Sequence, residues 1–191
     1  MSKVTVNPQP LVGITPTVLV GAVVEGKPNF MAVAWCGVAN SLPPMVSVAI
    51  RPQRHTFKGM IATREFSVNV PSVDQMKEAD YCGIASGAKV DKVAACGFNI
   101  FYGNLKAAPL IEQCPVNMAC VVEHIIELGS HHLFIGRVEE CHVTESCLTD
   151  GRADIRKVKP FAFSSIFPPA YYALSENTWQ AFVVGRGVVE K

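Results

Sequence analysis

Asn29 to Thr56 reads NFMAVAWCGVANSLPPMVSVAIRPQRHT: an apolar strand, a turn of small residues, a second apolar strand, and then RPQRHT. Only 17% of the chain is charged, yet two arginines, a histidine and a threonine fall within these six residues. Arg51 and Arg54 flank Pro52, which stiffens the turn. Thr56 is placed to N-cap a following helix whose first amides then face outward. Guanidinium forks beside free N–H groups at a helix start suit a phosphate. The plainer alternative is a solvated loop with two surface arginines. A position between a buried strand and a helix start speaks for the anion site.

Outward from this stretch, strand-like runs dominate: 15–24, 29–38, 44–50, 65–70, 115–128 and 132–144. They are rich in Val, Ile and Phe, and Gly, Pro and Asn punctuate several of them. EGKPN (25–29) reads as a hairpin turn. Helical signals are short. Residues 55–64 form an amphipathic segment with Phe57, Met60 and Ile61 inward, and 72–86 opens on a Ser N-cap and ends before Gly87. Most gaps are too short for βαβ crossovers. The pattern predicts a mostly β fold with short helices, an antiparallel, Greek-key-like, closed or partly closed barrel. The segment from about 165 to 191 is aromatic-rich, follows Pro168-Pro169 and reads as an arm over the barrel or across to a neighbour.

The 191 residues suit one domain, taken as 1–191. A net charge of +1 gives no field for nucleic acid or a membrane surface. Mean hydropathy is +0.25, yet no apolar run approaches the ~20 residues that span a bilayer. The apolar excess therefore belongs to a core or a subunit interface, and a homo-oligomer is expected. Seven scattered cysteines without a CxxC pair suggest free thiols in a reducing cytoplasm and no metal site. The N-terminus lacks the pattern of a signal peptide.

Other candidates each have a bland reading beside the functional one. Ala32, Ala34, Gly37 and Ala39 would let a flat ligand approach the backbone, or simply pack strand on strand. Asn40 and Ser41 lie in a turn where they can meet what the arginines hold. SGAKVDKVA (86–94), with Lys89, Asp91 and Lys92, reads as a solvated loop. His131 and His132 open a strand and point to opposite faces, so one at most serves a given pocket. Gly185 and Gly187 are weak evidence for a phosphate loop.

These pieces, in this order, resemble the flavin reductase-like family, the FMN-binding split-barrel proteins, and most closely the flavoredoxin branch. The likeness rests on PNFMAVAWCGVANSLPPMVSVAIRPQRHTFKGMIATREFSVNVPS, ADYCGIASGAKVDKVAACGF, HHLFIGRVEECHV and YYALSENTWQAFVVGR. It implies a six-stranded FMN-binding split β-barrel that dimerises, with FMN near the dimer interface. It places the backbone of Ala32, Val33, Ala34 and Trp35 along the flavin ring and Asn40 and Ser41 near it. Arg51, Arg54, His55 and Thr56 would hold the phosphate, with Ser86, Gly87 and Lys92 close by. His131 would sit on the nicotinamide or acceptor side as a catalytic residue. The chain departs from the family at Ala32, where Thr is common, at Ser130, where Asp is common, and at Ser175, where Gly is usual.

The resemblance thus implies an FMN oxidoreductase passing electrons from NAD(P)H to flavin or ferric acceptors. The alternatives are a flavoredoxin-type carrier served by a small-molecule or protein donor and acceptor, and a flavin-binding module without turnover.

Overall fold

The structure is a computed structural model that describes residues 1–175 and 181. The strands are β1 (Ile14–Pro16), β2 (Val18–Val24), β3 (Lys27–Val33), β4 (Cys36–Ser41), β5 (Pro44–Ile50), β6 (Glu65–Val70), β7 (Ile100–Phe101), β8 (Leu110–Ile111), β9 (Val116–Glu127), β10 (His132–Val143), β11 (Leu148–Thr149), β12 (Arg152–Ala153), β13 (Phe161–Ser164) and β14 (Ala170–Ala173). The helices are α1 (His55–Thr63), α2 (Met76–Ile84), α3 (Lys92–Cys96) and α4 (Ile155–Val158). No described helix is long and apolar enough to cross a membrane.

Seven strands form one antiparallel sheet in the order β3-β2-β6-β9-β10-β5-β4. Its two edges, β3 and β4, are consecutive in sequence and separated only by Ala34 and Trp35. The chain passes directly from one edge to the other, and at that bend the Ala49 amide of β5 donates to the Trp35 carbonyl (2.9 Å), which carries the β4–β5 pairing up to the turn of a split barrel. The run 29–38, expected as one strand, is therefore two. Counted as one bent strand, it gives the expected six. The expected five-residue turn at 25–29 is tighter: Glu25 and Gly26 both take positive φ, and β3 already begins at Lys27.

Alternation along the strands explains why they are apolar on both sides. On β2, Val18, Val20 and Ala22 point into the barrel with Met31 and Val33 of β3, Phe66, Val68 and Phe134. Leu19 and Phe30 point outward into a second core with Ala79 and Cys82 of α2, Phe98, Ile111 and Phe161. The barrel interior is capped by Met60, with Phe57 packed beside it. Ile61, expected inward, is exposed; Gly59 takes the buried place instead, because a Cβ there would overlap the Val23 carbonyl oxygen.

Ser72 caps a 3-10 turn, Val73–Gln75, through a capping box with Gln75 and leads into α2. Of the expected C-terminal arm, residues 170–173 form β14, which joins β13 and β1 in a separate three-stranded sheet. Gly185, Gly187 and most of the YYALSENTWQAFVVGR segment lie outside the described residues.

Candidate functional site

The chain leaves β5 at Ile50, turns through Arg51 to Gln53, and enters α1 at His55. The Arg54 amide donates to the Arg51 carbonyl (3.0 Å), which closes the turn. Arg54 is the helix N-cap in an extended conformation and supplies no side-chain cap. Thr56, expected as the cap, is instead the second helical residue, fully buried, with its hydroxyl accepting from Asn29 Nδ2 at 2.7 Å. No acidic side chain lies in the first turn of α1, so uncapped amides and the positive end of the helix remain for an anion.

Facing this junction is a second one, where α2 ends at Ile84 and the chain turns through Ala85, Ser86 and Gly87 toward α3. Arg54 bridges the two by donating from a guanidinium NH to the Gly83 carbonyl (3.1 Å). Gly87 has to be glycine, because a Cβ would overlap the Asn29 carboxamide oxygen. Lys92, read from the sequence as part of a solvated loop, is buried. Its ammonium donates to the carbonyls of Phe30 (2.9 Å) and Cys82 (2.8 Å), leaving one of its three protons. Burial lowers the Lys92 pKa, and the Arg54 charge adds to the shift against an opposing contribution from Cys82. An anion beside it would relieve that strain on the charged form.

These parts enclose a cleft of about 350 Å³ lined by Asn29, Met31, Arg51, Gln53, Arg54, His55, Thr56, Ala85, Ser86, Gly87 and Lys92. None of the described lining side chains is acidic. Three cations, two hydroxyl-bearing residues (Thr56 and Ser86) and helix-start amides converge there, while Met31 offers an apolar wall. The donor set fits a phosphate ester carrying a flat organic group. A neighbouring cleft of about 400 Å³ shares Asn29, His55, Gly87 and Lys92 but has mixed charge from Glu25, Lys27, Lys89 and Asp91. A larger cleft, about 670 Å³ beside Val73, Ile155 and Ser175, lies apart from these groups.

The structure thus brings Arg51, Arg54, His55, Thr56, Ser86, Gly87 and Lys92 into one cleft. His131 stands just outside it. Its ring stacks on Trp35 (centroids 4.3 Å apart), Nε2 receives Arg51 Nε at 3.4 Å, and Nδ1 pairs with Ser130 Oγ at 2.9 Å. Burial and then the Arg51 charge push the His131 pKa down, so the ring stays neutral at pH 7. His132 points the other way, edge-on to Phe57.

Val33 directs its side chain into the barrel core, and Ala32 packs toward Gly83 on the outer face, so both can meet a ligand in this cleft only through backbone. Ala34 and Trp35 form the bend between β3 and β4. Asn40 and Ser41 are exposed at the β4–β5 hairpin, with Asn40 Nδ2 bonded to the Pro43 carbonyl (2.9 Å), and do not line the cleft.

Asn29, Met31, Gln53 and Ala85 line the cleft but escaped the sequence reading. A signal for Asn29 existed: it is a polar residue on the same alternation as the inward Met31 and Val33, at the mouth of an apolar strand. Among the described residues no three His, Cys, Asp or Glu side chains gather in a group able to hold a metal ion.

The flavin reductase like domain matches residues 14–159 of the chain. A flavoredoxin from Methanosarcina acetivorans superposes with a TM-score of 0.93 at 33% identity, covering 98% of this chain and 100% of that one. Flavoredoxin of Desulfovibrio vulgaris (Miyazaki F) gives 0.89 at 35% identity, over 96% and 100%. An FMN-binding protein from Thermus thermophilus with bound 1-cyclohex-2-enone gives 0.79 at 25%, over 94% and 99%.

Proposed function

The chain belongs to the flavin reductase-like family, and from that premise we propose that it is an FMN-dependent oxidoreductase whose cofactor phosphate sits between residues 51–56 and 85–92. The observation that carries this reading is the cleft itself: cations, hydroxyls and uncapped amides, with no acid among the described lining residues. The flavoredoxins and the Thermus thermophilus FMN-binding protein support the choice of flavin.

Bound FMN supplies the redox chemistry through its ring system. The chain's own residues bind and orient it. Arg51 and Arg54 neutralise the phosphate, the first amides of α1 and the Thr56 hydroxyl donate to it, and Lys92 adds a fixed positive charge behind. Met31 and the backbone from Ala32 to Trp35 offer a surface for the ring. His131, neutral and stacked on Trp35, borders the side from which a donor or acceptor would approach.

Two electron sources fit this site. NAD(P)H would make the protein a reductase delivering to flavin or ferric acceptors, and a partner protein would make it a carrier. Likeness to two flavoredoxins along nearly the whole chain favours the carrier. Anaerobic addition of NADH and of NADPH to the FMN-loaded protein separates them. Bleaching near ~450 nm within seconds establishes the reductase. A yellow protein inert to both nucleotides but reduced by dithionite leaves the carrier or the module without turnover, and reduction by a protein donor then selects the carrier.

The proposal includes a homodimer in a reducing cytoplasm. Trp35, Val38 and Leu42 are exposed along the edge strand β4 and its hairpin, a surface suited to a second copy. Sedimentation at micromolar concentration should give about twice the 20.7 kDa chain mass. A monomer would end that part of the proposal.

A further inference from the structure

Two threonines on α1 are used in opposite ways. Thr63 donates its hydroxyl proton back to the Gly59 carbonyl (2.9 Å), the common resting state of a helical threonine. Thr56, fully buried, makes no such bond. Its oxygen accepts from Asn29 Nδ2 at 2.7 Å, and among the described residues its proton goes to no carbonyl. A hydroxyl has one proton and two lone pairs. With one lone pair taken by the amide, Thr56 keeps its proton and a second lone pair, and the proton is what an ionised phosphate, which only accepts, can use. A buried donor without an acceptor is costly, so the site is built for an acceptor that arrives with the ligand.

Asn29 is itself more than nine-tenths buried. The Gly87 backbone packs against its carboxamide oxygen so closely that no Cβ fits there. That contact leaves the NH₂ end of the carboxamide directed at Thr56. Strand β3, helix α1 and the 85–87 turn therefore converge on the direction of a single proton.

We propose that Asn29 is a positioning residue that makes the Thr56 hydroxyl a dedicated donor to the flavin phosphate, so that the cleft selects FMN over riboflavin. The inference rests on the functional reading above and adds its selectivity. The bond is charge-assisted when the phosphate is bound.

The test is a fluorescence titration of the full chain, stripped of flavin, with FMN and separately with riboflavin. Wild type, Thr56→Val, Thr56→Ser, Asn29→Ala and the Asn29→Ala/Thr56→Val pair are compared. Thr56→Val and Asn29→Ala should each weaken FMN by about tenfold or more, while riboflavin changes by no more than about twofold. Thr56→Ser, which keeps the hydroxyl, should bind FMN as wild type does. The double variant should be no weaker than Thr56→Val alone, because Asn29 acts through Thr56.

Should Asn29→Ala fail to fold, Asn29→Asp takes its place. Its carboxylate accepts the Thr56 proton, and FMN affinity should fall further than riboflavin affinity. Equal losses for FMN and riboflavin, or single losses that multiply in the double variant, would overturn the proposal. A wild-type protein that binds neither flavin overturns the functional reading as well. A wild type that binds FMN normally while Asn29→Ala changes nothing overturns the positioning role alone.

Discussion

Gly87 shows how closely the cleft is built around single residues. The overlap of a Cβ with the Asn29 oxygen has no flexible chain end to absorb it, since Asn29 is held by Thr56 and by burial. Gly87→Ala should cost about 1–3 kcal/mol of stability, the usual penalty of overpacking. It should also weaken FMN, measured by thermal melting and flavin quenching on one preparation; an unchanged FMN affinity would take Gly87 out of the site. At this scale the sequence was legible where chemistry is local. Arg51, Arg54, His55 and Thr56 fall within six residues, and their meaning follows from a turn and a helix start. Read locally, Lys92 looks solvated because it follows a Ser–Gly turn; only the family resemblance puts it beside the cofactor. Only the fold reveals that two carbonyls, from β3 and α2, wait for its ammonium. Asn40 and Ser41 sit exposed at the β4–β5 hairpin, outside the cleft that the arginines line.

Helix α1 is the element that presents the anion site, and its seating depends on Gly59 lying against the Val23 carbonyl. Backbone cannot yield as a side chain end would. Gly59→Ala should lift the helix from β2, lower the melting temperature, and weaken FMN even though residue 59 touches no ligand. A variant that is destabilised yet binds FMN as tightly as before would show that the helix position does not set the site. Strands 44–50 and 65–70 were legible to the residue, because alternating apolar positions between Pro, Arg and Glu leave one register. The bend at Ala34–Trp35 was not. It arises from closing the barrel, and an unbroken apolar run carries no mark of where a sheet turns back on itself. Strands β13 and β14 escaped notice because four residues give too little periodicity.

At the scale of the molecule, the two cores on either side of β2 and β3 account for the apolar excess that composition announced, and they absorb most of the thiols. Cys82, Cys114, Cys120 and Cys147 are buried and all seven are free. Burial pushes Cys36 up to about 11 and Cys82 and Cys114 to about 12, from an ordinary 9.0. Unfolded thiols would ionise from pH 9, whereas folded ones keep their protons, so above pH 9 the folded state binds more protons than the unfolded one. This contribution to stability is complete below pH 9 and is lost as pH rises toward 11 and 12. Melting temperatures should be flat in this respect to pH 9 and fall beyond it. Ellman's reagent at pH 8 should label the exposed Cys141 first. Rapid labelling of Cys82 or Cys114 in the native state would contradict the packing described.

The central claim is that the cleft between residues 51–56 and 85–92 holds the phosphate of a flavin. Calorimetric titration of FMN and of riboflavin into wild type and into Arg51→Gln/Arg54→Gln tests it most directly. Each guanidinium–phosphate bond contributes about 1.5–3 kcal/mol. The account predicts that wild type prefers FMN strongly and that the double variant loses about a hundredfold or more for FMN, with little change for riboflavin. Equal affinity of the wild type for the two flavins, or FMN binding untouched by loss of both arginines, would contradict it.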